Sequence, residues 1–218
     1  DFALEGSIFN AGTVVQWMRD EMNFINDAYE IEDLAHKSQN KVQFVPAFTG
    51  LGAPYWKSNI RGQISGITRN TSKSDIALAA LKSICFQTRD LFECLLKDTA
   101  LNRNKFSLRV DGGMSKNNLM MQFLSNILQV KIERPVNQES TAVGAAYLAG
   151  IQSGMYKGVA DVEKLWKTER TFEPNILLDQ ADQFYLEANP DIKAKRSIDK
   201  SQLPIVELGQ LADDFHAP

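Results

Sequence analysis

The sequence is poor in metal-binding and cross-linking residues. It holds two cysteines, Cys85 and Cys94, and two histidines in 218 residues. Both cysteines fall inside one helical pattern, and neither has a Cys or His neighbour at metal-ligand spacing. That sets aside a zinc site and a disulfide framework, and free thiols in a reducing cytoplasm are the expectation. Positive charge is not in excess either. With 24 Lys and Arg against 27 Asp and Glu, the net charge of −3 offers no electrostatic basis for nucleic-acid or acidic-membrane partners. The short basic run Lys193, Lys195 and Arg196 is too small to change that. No apolar run approaches the length of a membrane span, and no signal peptide opens the chain. An initiator Met is missing too: Asp1-Phe2-Ala3-Leu4 begins as if inside a strand, which suggests a fragment. Neither G-x-G-x-x-G nor G-x-x-x-x-G-K-[ST] occurs, so the dinucleotide fingerprint and the P-loop are both absent.

What is present is ordinary for a globular chain, 44% hydrophobic and 23% charged, and long enough to bury a real core. The densest signal is Lys105 to Leu124. Phe106, Leu108 and Val110 alternate with polar residues as a strand does, Asp111-Gly112-Gly113 stops the strand, and Leu119, Met120, Phe123, Leu124, Ile127 and Leu128 recur at helical spacing. Ser115 and Asn117 are the N-cap candidates. Strand, paired glycine and helix start is one way to hold a nucleotide, because glycine admits close approach and a helix N-terminus offers N–H groups to an anion or a polar base. The same Asp-Gly pair is also an ordinary turn.

Around it, period-2 and period-3.6 segments alternate and predict a central mixed sheet packed by helices. The strands expected are Val42–Pro46, Gly62–Thr68, Phe106–Val110 and Val130–Glu133, with a strand-like piece at Leu4–Phe9. The helices expected are Gly12–Met22, Asp27–Lys37, Ser74–Lys97, Asn117–Leu128 and Thr141–Gln152, then shorter ones near Val162 and over Asp179–Ala188. Ser72 or Ser74 caps the long helix, with one face traced by Ile76, Ala80, Ile84, Thr88, Leu91 and Leu95. Phe48-Thr49-Gly50-Leu51-Gly52-Ala53-Pro54-Tyr55-Trp56 reads as a packed loop, and the small residues Ala142, Gly144, Ala145 and Ala149 as a tightly packed helix. Glu169–Pro174 reads as a link. Residues 1–174 form the main domain, and 175–218 a helical extension whose polar end, from Pro190, lies on the surface.

Three stretches together resemble the glycerol kinases of the FGGY group of carbohydrate kinases. They are Ala3-Leu4-Glu5-Gly6-Ser7-Ile8-Phe9 with Gly12 and Gln16-Trp17, the Phe48–Trp56 loop, and Val110-Asp111-Gly112-Gly113 with Asn117-Asn118. Thr88-Arg89-Asp90 and Thr141-Ala142-Val143-Gly144-Ala145-Ala146-Tyr147-Leu148-Ala149-Gly150 are similar to that family as well. The resemblance implies an α/β, ribonuclease-H-like fold of the actin, hexokinase and Hsp70 type, with this chain as the C-terminal, ATP-binding domain. Carried over by position, Gly12 and Gln16 contact the nucleotide at one helix start, and Gly113 and Asn117 meet it at the other, where Gly112 of the same turn is expected to line the site too. The cofactors implied are ATP and Mg, with the metal ligands, the glycerol pocket and the aspartate base all expected before Asp1. No catalytic residue is then expected here, Asp111 has a turn role, and the chain alone is inactive. The implied partners are ATP or ADP, and glycerol through the absent domain, in a cytoplasmic protein compatible with a homo-oligomer. Two other readings stay open, another polyol or sugar kinase of the group and a stand-alone nucleotide-binding module.

Overall fold

A computed structural model describes residues 4–99, 102–103 and 107–188. The element order is α1 (Gly12–Asp20), α2 (Glu30–Ala35), β1 (Gln43–Val45), β2 (Gln63–Ser65), α3 (Lys73–Thr99), β3 (Ser107–Arg109), a 3₁₀ turn Gly113–Lys116, α4 (Asn118–Leu128), β4 (Lys131–Pro135), α5 (Ser140–Gln152), α6 (Val159–Glu163), β5 (Thr168–Phe172) and α7 (Leu178–Ala188). The helices and strands fall close to the periodic segments of the sequence, and the fold is α/β with a mixed sheet flanked by helices.

The strands do not form one sheet, however. β1 and β2 pair antiparallel as a separate two-stranded ribbon, and β3, β4 and β5 form a three-stranded sheet in that order. β3 runs parallel to β4, with Leu108 opposite Ile132, while β5 runs antiparallel to β4, with Phe172 opposite Ile132. The fifth strand lies where the sequence reads as a link. Along Thr168-Glu169-Arg170-Thr171-Phe172 only Phe172 is buried, so the alternation that announces a strand is missing. Pairing to β5 also extends β4 through Arg134 and Pro135, past the expected end at Glu133. Leu4–Phe9 is irregular rather than a strand. Its backbone meets the aromatic loop instead, with the Ala53 N–H donating to the Ser7 carbonyl at 3.0 Å. Gly52 permits that approach, since a Cβ there would stand 2.5 Å from the Ser7 oxygen.

Helix α3 is the axis of the core. Ser72 and Asp75 close its first turn reciprocally: the Ser72 N–H and hydroxyl both donate to Asp75 Oδ2 at 2.8 Å, and the Asp75 N–H returns to Ser72 Oγ at 3.4 Å. Asp75 Oδ1 also accepts from the N–H groups of Gln39 and Asn40 at 2.8 Å, which fastens the chain after α2 to this helix start. The buried residues of α3 include Ala77, Ala80, Leu81, Ile84 and Cys85, on more than one side, whereas Ile76, Thr88, Leu91 and Leu95 of the expected stripe are half-buried. A helix packed by α1, α2 and α4 buries several faces, so a single apolar stripe no longer marks its inner side. Further along, Arg89 and Asp90 are buried against α7: Arg89 pairs with Asp182, and the Tyr185 hydroxyl donates to Asp90. Ala181 and Tyr185 of α7 belong to the same core as α3 and α4.

The aromatic loop is largely packed, as expected, with Phe48 against Trp17 and Phe44 (ring centroids 5.1 and 6.3 Å). Helix α5 is not: Gly150, set against the Tyr156 ring, is its one buried residue, and Leu148 is 67% exposed. The tight packing read from its small residues is therefore confined to its C-terminal end. The tail beyond Ala188 lies outside the described residues.

Candidate functional site

Two connections into helices meet at one place, one from β3 to α4 and one from the irregular N-terminal stretch to α1. Gly112 ends the β3 connection with φ +77° and ψ 175°, a conformation open to glycine and strained for any other residue. Its N–H donates to the Gln138 carbonyl at 3.1 Å, and its own carbonyl accepts from Ser115 Oγ at 2.7 Å. The 3₁₀ turn carries the chain round to Asn117, which caps α4 with its Oδ1 accepting from the Met120 N–H at 2.7 Å. Of the two sequence candidates for the cap, Asn117 fills the role. From the other connection, Gly12 opens α1, and a Cβ there would lie 3.7 Å from Met114 of the 3₁₀ turn. The structure thus brings Gly12 to the Gly112–Asn117 segment. Gln16 sits one turn into α1 and is exposed.

Two features of this segment are not explained by the fold alone. A Cβ at Gly113 would meet no atom within 4 Å beyond its immediate chain neighbours, and its φ lies outside the left-handed region. Neither backbone nor packing demands glycine there. The second feature is Asn117, 8% exposed, whose Nδ2 is buried without a hydrogen-bond partner. The cap assigns its amide oxygen to Met120, so the orphan atom is the donor end.

The two helix starts differ in charge. α1 has no side-chain cap and no acidic residue in its first turn. The start of α4 is already occupied: Glu32 of α2 accepts from the N–H groups of Asn118 at 2.9 Å and Leu119 at 3.2 Å. The N–H groups that the sequence suggests are free for a ligand at α4 are therefore committed, and a carboxylate stands where an anion would sit. What remains uncommitted at the start of α4 is neutral: space at Gly113 and the buried, unpartnered amide donor of Asn117.

Sequence reasoning missed Glu32 and Arg134, which both act on this segment. Glu32 is one acid among several in a charged helix, and nothing in its spacing sets it apart. Arg134 lies 16 residues or more from its acceptors, with Nη1 donating to the Ser115 carbonyl at 2.7 Å and to Asn118 Oδ1 at 3.1 Å. The two ends of that contact meet only because β4 lies beside β3.

The chain is 48% identical over 186 residues to the glycerol kinase of Marinomonas sp. (strain MWYL1), covering 84% of this chain and 37% of that one. With the glycerol kinase of Nitratidesulfovibrio vulgaris (strain DSM 19637 / Miyazaki F) it shares 50% over 177 residues, 80% of this chain and 35% of that one. Among solved structures, the Plasmodium falciparum glycerol kinase with ADP superposes with a TM-score of 0.76 at 35% identity, over 86% of this chain and 37% of that one. The chain thus spans little more than a third of the length of the curated relatives it matches. Residues 1–153 match the C-terminal domain of the FGGY family of carbohydrate kinases, and the chain belongs to that family.

Proposed function

We propose that this chain is the ATP-binding half of an ATP:glycerol phosphotransferase, and that the Gly112–Asn117 segment receives the nucleoside end of the nucleotide. The observations that carry the reading are the buried, unpartnered Nδ2 of Asn117 and, four residues earlier in the same segment, the open space at Gly113. A planar base or a ribose can fill that space and accept from that donor, and a side chain at position 113 would compete for it. The charge pattern supports the same orientation. Phosphates are disfavoured at the start of α4, where Glu32 already stands, and favoured toward the uncapped start of α1 at Gly12 and Gln16.

Phosphoryl transfer is chiefly a matter of positioning and charge stabilisation. On this reading the described residues supply the positioning of the nucleotide, and the glycerol pocket and base belong to the part of the relatives' length that this chain does not span. Among the described residues no group of three or more Asp, Glu, His or Cys side chains is arranged to hold a metal ion, so no step is assigned here to the divalent cation that accompanies ATP.

The test is Gly113→Val in the protein at its natural length. ATP affinity should fall at least tenfold while glycerol affinity and the melting temperature stay near those of the parent. Normal ATP binding by a folded Gly113→Val protein would place the site elsewhere. The 218 residues by themselves should not phosphorylate glycerol, and turnover by a sequence-verified preparation would refute the division of labour.

A further inference from the structure

Arg134 is a buried cation, its side chain 5% exposed, and its guanidinium works in two directions at once. Nε and Nη2 form a fork on the Glu169 carboxylate at 2.6 and 3.1 Å. Nη1 points the other way, to the carbonyls of Ser115 and Lys116 at 2.7 and 3.3 Å and to Asn118 Oδ1 at 3.1 Å. Those three acceptors bracket Asn117 in the chain. Two of them are carbonyls at the end of a 3₁₀ turn, where a cation is electrostatically favoured. Phe172 packs beneath, its ring centroid 5.4 Å from the guanidinium carbon. From α2, Glu32 holds the N–H groups of Asn118 and Leu119. The segment that carries Asn117 is therefore gripped by a cation on its carbonyls and an anion on its N–H groups, from two different elements.

We propose that Arg134 is the positioning residue of this nucleotide-binding segment. Resting on the functional reading above, it holds the Ser115–Asn118 backbone in the one arrangement that presents the Asn117 donor to the ligand. A segment fixed in advance loses less conformational freedom when the nucleotide arrives, and that gain appears as affinity. Lysine does not replace arginine in this role. It carries a compact charge without the planar fork, and cannot serve the Glu169 carboxylate and the turn carbonyls together.

The experiment compares Arg134→Lys and Arg134→Gln with Gly113→Val in the protein at its natural length, measuring the KM for ATP, the KM for glycerol, kcat and the melting temperature. The expected result for Arg134→Lys is an ATP KM raised about tenfold, with kcat and the glycerol KM within twofold and the melting temperature within a few degrees. Arg134→Gln, which keeps one donor and no charge, should raise the ATP KM further with the same split. An unchanged ATP KM in folded Arg134→Lys overturns the proposal. So does a parallel loss of every parameter, or a melting temperature far below the parent, since either assigns Arg134 to the fold at large. Gly113→Val separates the two layers. If it weakens ATP binding and Arg134→Lys does not, the positioning role alone fails. If Gly113→Val binds ATP normally, the nucleotide reading fails and takes this inference with it.

Discussion

The Glu32 carboxylate accepts from the backbone N–H groups of both Asn118 and Leu119, at 2.9 and 3.2 Å. It thereby caps a helix that begins 86 residues further along the chain. A helix start left open attracts phosphate, and one closed by a carboxylate repels it. This contact leaves the adjoining site neutral in character. Glu32→Ala should leave two half-buried N–H groups without acceptors and destabilise the fold by about 1–3 kcal/mol, read from urea unfolding. Glu32→Gln keeps an acceptor for one of them and should lose less. Equal stability of Glu32→Ala and the parent would show that water replaces the carboxylate at no cost.

Asn117 has two tasks, and its two ends separate them. Asn117→Ser retains an oxygen that can accept from Met120 but has no amide donor. Stability should therefore stay within about 0.5 kcal/mol of the parent, while ATP binding weakens by about 0.5–1.5 kcal/mol, the worth of one neutral hydrogen bond. Asn117→Ala should lose both, with about 1 kcal/mol of stability gone with the cap. A titration in which Asn117→Ser binds ATP as the parent does would remove the donor from the site.

The neighbouring glycines are predicted to differ. Gly112 sits at φ +77°, so Gly112→Ala should cost about 1–3 kcal/mol of folding stability through backbone strain. Gly113→Ala introduces a Cβ into open space and should leave stability within about 0.5 kcal/mol. Thermal melts of the two variants check this directly, and equal losses at both positions would contradict it.

Asp75 accepts from Gln39, Asn40 and Ser72 at the start of α3, and these hydrogen bonds, those from the Asn40 and Ser72 N–H groups foremost, hold its carboxyl well below the usual carboxylate range. A group depressed in the folded state stabilises above its unfolded value, near pH 4, and that stability is lost as pH falls below it. Asp75→Ala should cost about 3 kcal/mol at neutral pH and lose less on acidification than the parent. A variant with the parent's acid profile would show that Asp75 does not govern it.

Asp90 behaves in the opposite sense. Burial raises its carboxyl to about 6, against the hydrogen bonds from Tyr185 and Tyr55 and the charge of Arg89, which lower it. Here the folded state holds the proton more tightly, so this group's contribution is full below pH 4 and is lost as pH rises toward 6. Asp90→Asn should remove that slope, and its stability relative to the parent should improve on the order of 2 kcal/mol between pH 4 and pH 6.5. Parallel denaturation profiles across that window would reject the assignment.

Most elements were legible because they report local chemistry. Alternation marked β1 and β3, helical spacing marked α1, α3 and α4, and the glycine pair with Asn117 marked the turn that the structure builds. Propensity, capping and turn geometry act over a few residues, and a few residues of sequence contain them. The tertiary structure alone decided the rest. It split the strands into two sheets, because strand partners are chosen by chain crossings rather than by any one strand. It made a strand of the polar Thr168–Phe172, which pairs with β4 through backbone groups that every residue carries. It also brought Glu32 and Arg134 onto the residues that flank Asn117, from α2 and β4. Long-range hydrogen bonds of that kind depend on where α2 and β4 are packed, and no spacing within either segment encodes it.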